Sequence, residues 1–316
     1  MDVILAIDGG GSSTRSLALN REGRIVGQAL SGPSNHLLVD RDVVVNSIEG
    51  IINKTLSPTL KRSDVVCLSG GFAGVDYDGT GKQQMEEILN TMGFEDLVVN
   101  GDMVIAHAGA FGGRPGVLAL SGTGSCILGI NDLGERIKIG GWGPIYGDEG
   151  SAYRIGQTAL RAAARAVDGR GPATTLVARI ERALELKDFN ESVRRVYVEE
   201  MESREIAALS HVVNDAAEHG DEVAVSILRN AGEELAEGVI AALNQLHLPH
   251  KQASVSYQGS VLASCGILRE RFKEVLSERV PESSVKAPQL EPIMGAAFLG
   301  FVAAGWEPVT VLRHHS

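Results

Sequence analysis

The residues best suited to chemistry stand together near the start of the chain, in the segment Asp8-Gly9-Gly10-Gly11-Ser12-Ser13-Thr14. Three consecutive glycines give a core nothing to pack, and they lose more backbone entropy on folding than other residues. Their use is a positive φ or a close backbone approach, and successive N–H groups in such a loop bind anions, above all phosphate. Asp8 adds a carboxylate at the start of the loop. It either holds Mg²⁺ through water or closes the loop as an Asx turn.

The flanking segments indicate which kind of phosphate loop this is. Residues 3–7 form an apolar run that predicts a strand, and residues 15–20, 21–23 and 24–29 predict a strand, a turn and a strand. A dinucleotide site or a P-loop would lead into a helix, and a P-loop would also carry Gly-Lys-Ser or Gly-Lys-Thr. The glycines are therefore predicted to join two antiparallel strands.

The same order of elements returns in the second half of the chain. Residues 117–121 predict an apolar strand, residues 122–125 a Gly/Thr/Ser loop, and residues 126–131 and 137–139 two further strands. Such a repeat is typical of a duplicated domain, and two phosphate-type loops predict two lobes that face one anion. Two unrelated glycine-rich hairpins are the alternative. In this alignment the corresponding pairs are Asp8 and Ser121, Gly9 and Gly122, Gly11 and Gly124, and Ser12 and Ser125.

Length and charge narrow the class of protein. A chain of 316 residues exceeds the size at which single cores stop growing, so two domains are expected. The net charge of −11 argues against nucleic acid or an anionic membrane as a partner, because both reward clustered Lys and Arg. Three widely separated cysteines, and no basic segment before the apolar residues 3–7, predict a cytoplasmic protein with reduced thiols.

A domain boundary is predicted at residues 112–116, Gly-Gly-Arg-Pro-Gly, because this hinge-like segment comes just before the second hairpin. We therefore place an N-terminal α/β domain at residues 1–116 and a C-terminal α/β domain at residues 117–316. The last helix, near residues 291–305, could pack back on the N-terminal domain.

Four further residues have types and positions that suit a reaction or a ligand. Asp102 stands between a predicted strand at 97–100 and a predicted helix at 103–111, where it would be an N-cap, a general base, or both. Asn35, Trp142 and Asp148 lie in glycine-rich loops, where side chains can converge on a polar ligand. A tryptophan between two glycines would either stack on a sugar face or fill a core.

Taken together, these motifs resemble the BadF/BadG/BcrA/BcrD ATPase family, and within it the N-acetylglucosamine and glucosamine kinases. The resemblance extends over nearly the whole chain, and it implies an α/β, actin-like (ribonuclease H-like) fold with two duplicated domains and a nucleotide cleft between them. Besides the two hairpins, the segments that carry it are 32–36 (Gly-Pro-Ser-Asn-His), 120–125 (Leu-Ser-Gly-Thr-Gly-Ser), 140–143 (Gly-Gly-Trp-Gly), 147–151 (Gly-Asp-Glu-Gly-Ser), 168–172 (Asp-Gly-Arg-Gly-Pro) and 259–261 (Gly-Ser-Val).

The resemblance also implies a role for individual residues. The terminal phosphates of ATP would contact Gly10, Gly11, Ser12, Thr123 and Gly124, and Asp8 would organise Mg²⁺. The adenosine would be bordered by Gly259, Ser260, Ala263 and Gly220. The amino sugar would be bound by Asn35, Gly141, Trp142, Gly143 and Asp148, and Asp102 would be the base for its 6-hydroxyl.

The activity implied is therefore ATP-dependent phosphorylation of an amino sugar, N-acetylglucosamine or glucosamine, by a homodimer. Other members of the wider family are ATPases that activate dehydratases or reductases and hold an iron–sulfur cluster, which requires cysteines in a cluster-binding arrangement. Cys67 and Cys265 are the nearest candidates, and neither lies in such a motif. A non-catalytic actin-like nucleotide-binding module is the third possibility. The choice between an acetylated and a free amine stays open.

Overall fold

The computed structural model describes residues 1–56, 58–75, 79–248, 253–308 and 311. The strands are β1 Val3–Gly9, β2 Thr14–Asn20, β3 Ile25–Ser31, β4 Val65–Phe72, β5 Leu97–Gly101, β6 Gly116–Ser121, β7 Ser125–Ile130, β8 Arg136–Gly140, β9 Ser254–Gln258 and β10 Ser284–Lys286. The helices are α1 Arg41–Leu56, α2 Gly81–Thr91, α3 Asp102–Phe111, α4 Ala152–Val167, α5 Leu176–Ala183, α6 Glu191–Tyr197, α7 Ser203–Glu218, α8 Glu222–Gln245, α9 Ser260–Ser264, α10 Gly266–Arg279 and α11 Pro292–Ala303.

The chain divides into two compact units. One comprises Met1–Pro115 together with Ala287–Ser316, and the other comprises Gly116–Lys286. The C-terminal helix α11 therefore belongs to the first unit, where it packs against α3 and the strands β1, β2 and β4. The predicted assignment of functions to two domains, with sugar and base in one and adenosine in the other, stays a prediction.

Each unit is built on one sheet of five strands, and the two sheets have the same topology. The strand order is β3-β2-β1-β4-β5 in the first unit and β10-β9-β6-β7-β8 in the second. In both, the first two strands form an antiparallel hairpin, and the first strand also pairs in parallel with the strand that follows a helical crossover. The α/β architecture predicted from the duplicated hairpins is confirmed.

The register of the two hairpins corrects the sequence alignment by one residue. Gly9 pairs with Thr14 in the first hairpin, whereas Ser121 pairs with Ser125 in the second. The first loop, residues 10–13, is thus one residue longer than the second, residues 122–124. Ser121 therefore corresponds structurally to Gly9 and not to Asp8. An alignment that counts along the sequence cannot detect this, because the extra residue lies inside a loop of similar small residues.

Strand β1 is buried on both faces, as expected for a strand that pairs in parallel inside an α/β sheet. Val3, Leu5 and Ile7 pack in the cluster formed with α1 and α2. Ile4 and Ala6 point the other way, into the cluster formed with α3 and α11. Side chains alternate along a strand, so Asp8 faces the side of the sheet that α3 and α11 cover.

In the second unit, helices α4, α7, α8 and α10 enclose the larger core against one face of the sheet. Within the described part of the chain, no helix combines the length and the apolar character needed to cross a membrane.

Candidate active site

The first glycine loop, residues 10–13, closes the β1–β2 hairpin. The N–H of Gly10 donates to the carbonyl of Ser13 at 2.9 Å, and the carbonyl of Gly10 accepts from the N–H of Ser34 at 3.1 Å. The buried Thr14 hydroxyl donates to the Ser34 hydroxyl at 2.9 Å. These hydrogen bonds fix the base of the loop, while residues 11–13 at its tip are exposed.

The glycines of this segment do not have the positive φ that the sequence suggested, and the close approach of their N–H groups to an anion stays a prediction. None of the three has φ in the left-handed region. A Cβ on Gly9 would lie 2.5 Å from the Phe72 ring and would also strike the Ser34 hydroxyl. A Cβ on Gly11 would lie 3.2 Å from a methyl of Leu38, closer than nearly all real contacts. Neighbouring side chains thus fill the room that a larger residue would require at Gly9 and Gly11.

Two carboxylates, Asp8 and Asp102, interact at the carboxyl ends of β1 and β5. Burial raises the pKa of Asp8 to about 6, and the charge of Asp102 contributes to that shift. Arg15 stands opposite Asp8 in the antiparallel register, and its guanidinium lowers the same pKa in part. Arg15 in turn donates to the carboxylate of Glu291 at 2.9 Å. Asp8 is therefore a carboxylate held in a poorly solvated position beside a second one.

Asp102 is the first residue of α3 and not its N-cap. The cap position belongs to Gly101, whose backbone is extended, and the Asp102 carboxylate accepts a hydrogen bond from the N–H of Met103 at 2.9 Å. The N-cap interpretation is wrong because an N-cap side chain must accept from an N–H two or three residues further on. The carboxylate still lies in the first turn of α3, at the positive end of the helix dipole.

Asn35 lies beside the first glycine loop. Its side-chain oxygen accepts from the N–H of Leu37 at 3.0 Å, which fixes the side chain in an Asx turn. Its amide nitrogen would be 4.0 Å from a Cβ on Gly11, and its oxygen would be 2.7 Å from a Cβ on Gly74. Three predicted site features of the first unit are therefore brought together: the loop tip, the carboxylate pair nearby, and Asn35.

The second glycine loop, residues 122–124, is supported by the start of α4. The carbonyl of Gly122 accepts from the N–H of Ala152 at 2.9 Å, and the carbonyl of Thr123 accepts from the N–H of Tyr153 at 3.2 Å. The N–H of Gly122 donates to the carbonyl of Gly124 at 2.9 Å. The loop's carbonyls are thus directed towards the helix.

Asp148 joins the second glycine loop to the Trp142 segment. Its carboxylate accepts from the backbone N–H groups of Ser125 and Gly143, and only 8% of the residue is exposed. Burial raises its pKa in spite of these two hydrogen bonds. A Cβ on Gly124 would lie 2.9 Å from the Asp148 carboxylate, so the loop backbone and the side chain are in close contact. Asp148 itself has a φ of 56°, an uncommon value for a residue other than glycine.

Trp142 is exposed and does not fill the core of its unit. Its exposed fraction is 67%, and Ile145 and Tyr146 are exposed to 86% and 70%. The flanking Gly141 and Gly143 have φ of 69° and 83°, so here the sequence does need glycine for backbone conformation. Trp142, Ile145 and Tyr146 are thus three exposed, large apolar side chains in one glycine-rich segment. Such a group is typical of a surface that binds a ligand or another surface.

Of the four residues expected at the adenosine, three lie at the start of α9 or within it, and the fourth, Gly220, lies in another turn. Gly259 caps α9 with φ of 99°, and a Cβ there would strike the carbonyl of Ser121, so this turn touches the second hairpin. Ser260 and Ala263 are exposed in the same short helix. Gly220 lies in the turn between α7 and α8 with φ of 85°. The charge of Glu218, two residues earlier, acts on Cys265 at the end of α9.

Sequence reasoning missed the partners of Asp8. Arg15 could have been found, because the predicted hairpin already places it opposite Asp8. Glu291 has no local signal, since it lies 276 residues from Arg15 along the chain. Ser34 and Phe72, which limit the space at Gly9, are likewise distant in sequence.

The Asp8–Asp102 pair suits Mg²⁺. A cation beside Asp8 would offset the desolvation of its carboxylate and the charge of Asp102, which together raise the pKa of Asp8. Magnesium in phosphoryl-transfer sites typically uses one or two carboxylates, with waters and substrate phosphates completing the octahedron. Among the described residues, no group of three or more His, Cys, Asp or Glu side chains is arranged to hold a metal ion.

Known proteins resemble this chain in both structure and sequence. A candidate N-acetylglucosamine kinase from Chromobacterium violaceum, known from its crystal structure, superposes with a TM-score of 0.75 and 25% identity over 95% of this chain and 99% of its own. The N-acetylmuramic acid/N-acetylglucosamine kinase of Clostridium acetobutylicum is 31% identical over 95% of this chain and 98% of its own. The N-acetyl-D-glucosamine kinase of Dictyostelium discoideum is 28% identical over 94% and 97%.

The fold is the actin-like ATPase fold of the sugar kinases. The model of the BadF/BadG/BcrA/BcrD ATPase family matches residues 5–300, and the chain belongs to this family. The family resemblance inferred from the motifs is confirmed.

Proposed function

We propose that this protein is an ATP-dependent kinase that phosphorylates the 6-hydroxyl of an amino sugar, N-acetylglucosamine or glucosamine. The observation that carries the proposal is the Asp8–Asp102 carboxylate pair next to an exposed glycine loop with Asn35 at its side. Phosphoryl transfer needs backbone donors, charge neutralisation and an aligned nucleophile more than it needs covalent catalysis. The full-length similarity to three amino-sugar kinases supports the choice of substrate.

In the first unit, Gly10, Gly11 and Ser12 contact phosphate oxygens, and the N–H groups of Gly11 and Ser12 are the donors, because the N–H of Gly10 already donates to the carbonyl of Ser13. Asp102, at the N-terminus of α3, accepts the proton of the 6-hydroxyl as general base. Asn35 offers its amide nitrogen to a sugar hydroxyl, because its oxygen is already occupied by the N–H of Leu37.

Asp8, with Asp102 nearby, would hold Mg²⁺ through water, and the ion would neutralise charge on the phosphates.

In the second unit, Thr123 and Gly124 bind phosphate oxygens, and Gly259, Ser260 and Ala263 border the adenosine, with Gly220 at its far side. The exposed face of Trp142 stacks on the sugar ring, with Gly141 and Gly143 allowing the segment to approach it. Asp148 bonds a sugar hydroxyl with the lone pairs that Ser125 and Gly143 leave free.

The homodimer, the cytoplasmic location and the lack of nucleic acid or membrane partners remain predictions.

A role as an iron–sulfur ATPase is disfavoured by the two cysteines nearest to a cluster motif. Cys67 and Cys265 are both buried in apolar surroundings, each in a different unit. Burial, with a smaller effect of Asp96, raises the pKa of the Cys67 thiol to about 11, and burial also raises the pKa of Cys265. Such thiols are poorly placed to become exposed thiolate ligands.

The test is ADP formation with Mg²⁺ and ATP across a panel of sugars: N-acetylglucosamine, glucosamine, N-acetylmannosamine, N-acetylmuramic acid and glucose. We expect an amino sugar to raise turnover well above the sugar-free rate. Robust ATP hydrolysis that no sugar changes would contradict the kinase assignment and would favour a nucleotide-dependent binding module.

A further inference from the structure

The second glycine loop and the turn at residues 148–151 are joined by two serine side chains to which no function has been assigned above. The Ser121 hydroxyl donates to the carbonyl of Gly150 at 2.8 Å, and the Ser125 hydroxyl donates to the carbonyl of Glu149 at 2.6 Å. Ser121 is fully buried, and 8% of Ser125 is exposed. Both serines lie at the ends of the strands β6 and β7 that the loop connects.

The same turn is held from two other directions. The Asp148 carboxylate accepts from the N–H of Ser125, and the N–H of Gly150 donates to the carboxylate of Glu234 on α8. A Cβ on Gly150 would lie 2.6 Å from the carbonyl of Ala231, so the turn sits directly on α8. The turn cannot shift without breaking bonds to the loop, and the loop cannot shift without moving the turn.

The proposed function, on which this inference rests, places phosphate on one side of this junction and sugar on the other. We infer that Ser121 and Ser125 are positioning residues that couple the two ligands. A sugar that orders Asp148 and the Trp142 segment orders the second glycine loop through the serine hydroxyls, so nucleotide then binds at lower entropic cost. Such coupling is a ratio of affinities, typically about 5- to 150-fold, and it is reciprocal.

Coupling distinguishes this role from ordinary support of the fold. Ser256 provides the matched control, because it is also a buried serine of the same sheet, with its hydroxyl donating to a backbone carbonyl, that of Lys286, at 2.9 Å. Ser256 pairs with Leu118, away from the hairpin loop. Loss of its hydroxyl should lower the melting temperature about as much as loss of the Ser125 hydroxyl.

The experiment is calorimetric titration of the full chain with a non-hydrolysable ATP analogue and Mg²⁺, with and without saturating N-acetylglucosamine. The ratio of the two dissociation constants is measured for the wild type, Ser121→Ala, Ser125→Ala, Ser125→Thr and Ser256→Ala, together with the melting temperature of each. We expect a ratio of about 5 or more in the wild type and in Ser256→Ala, a ratio near 1 in the two serine-to-alanine variants of the hairpin, and recovery in Ser125→Thr.

A ratio near 1 in the wild type, or an unchanged ratio in Ser125→Ala, would overturn the inference. So would a decrease of the ratio that is as large in Ser256→Ala as in Ser125→Ala. Ser125→Ala carries the test if Ser121→Ala fails to fold. Failure of the proposed function is distinguished by a direct calorimetric titration of the wild type with N-acetylglucosamine, which would then show no binding of the sugar.

Discussion

The two glycine loops share one topology and differ in what surrounds them. The first ends a strand that carries the carboxylate of Asp8, and it is held by Ser34, Thr14 and the Phe72 ring. The second ends a strand with Ser121 at the position of Gly9, and it is held by the first turn of α4 and by Asp148. Duplication has kept the hairpin, while the supporting residues have diverged.

The two units therefore differ in the chemistry of the residues that surround similar loops. The first unit places negative charge beside the loop, where the poorly solvated Asp8 interacts with Asp102, an arrangement that suits a metal ion and a general base. The second unit uses its buried carboxylate to tie backbone segments together. On this account the first loop belongs to the reacting centre, and the second to positioning. Substitutions in each loop test whether the two loops differ in this way.

The largest effect is expected for Asp102→Asn, which removes the base and keeps the shape. Positioned general-base catalysis is worth about 10²- to 10⁴-fold, so kcat should fall by about that factor while the KM values for ATP and sugar change little. Asp102 is the first helical residue, with an N-cap at Gly101 that stays intact, so the melting temperature should shift only slightly. Steady-state kinetics and thermal melting provide the measurement. A variant that retains more than about a tenth of wild-type kcat would remove Asp102 from the reacting centre.

The second prediction is that Asp8→Asn stabilises the metal-free protein. A carboxyl group whose pKa rises from 3.8 to about 6 on folding favours the folded state at low pH, and that advantage is lost as the pH rises through about 6. At pH 8 the ionised group therefore costs about 3 kcal/mol, which asparagine avoids. Urea unfolding in the presence of a chelator should show this gain at pH 8 and little difference near pH 3, below the pKa of the unfolded carboxyl. Equal stability of the two proteins at pH 8 would contradict the electrostatic account of the first loop.

The third prediction compares Gly10→Val with Gly124→Val. A Cβ on Gly10 would lie 3.0 Å from the carbonyl of Ser13 within its own loop, so nucleotide affinity should fall by about tenfold or more, or roughly 1.4 kcal/mol, with sugar affinity unchanged. A Cβ on Gly124 would lie 2.9 Å from the Asp148 carboxylate, so both affinities should fall. Gly50→Val is the control, since nothing lies within 4 Å of a Cβ there. Calorimetry on each ligand separates the outcomes, and identical behaviour of the two loop variants would erase the contrast between the loops.

Local patterns were sufficient for most of the fold. The apolar run at residues 3–7, the turn residues after each strand and the repeat at 117–139 predicted both hairpins, because short apolar runs and turn chemistry are encoded within a few residues. The start of helix α4 also has a local signal, since Ser151 is an N-cap that accepts from the N–H of Arg154.

What the sequence could not predict depends on residues far apart in the chain. The space at Gly9 is set by Ser34 and Phe72, so the reason for the glycine was mistaken. The environment of Asp8 depends on Glu291 at the start of α11. Strand β10 is only the short Ser284–Lys286, whose pairing with β9 no local period signals. The roles of the ligand-binding residues rest on resemblance and chemistry, and they await the measurements above.

The most direct test of the central claim is the identity of the product. Purified protein is incubated with ATP, Mg²⁺ and N-acetylglucosamine, and the product is examined by two-dimensional ¹H–³¹P correlation NMR. Besides the signals of ADP, the account predicts one new phosphorus signal, which correlates with both protons at C6 and is formed in equal amount with ADP. Inorganic phosphate as the only new species besides ADP, or a correlation with the anomeric proton, would contradict it.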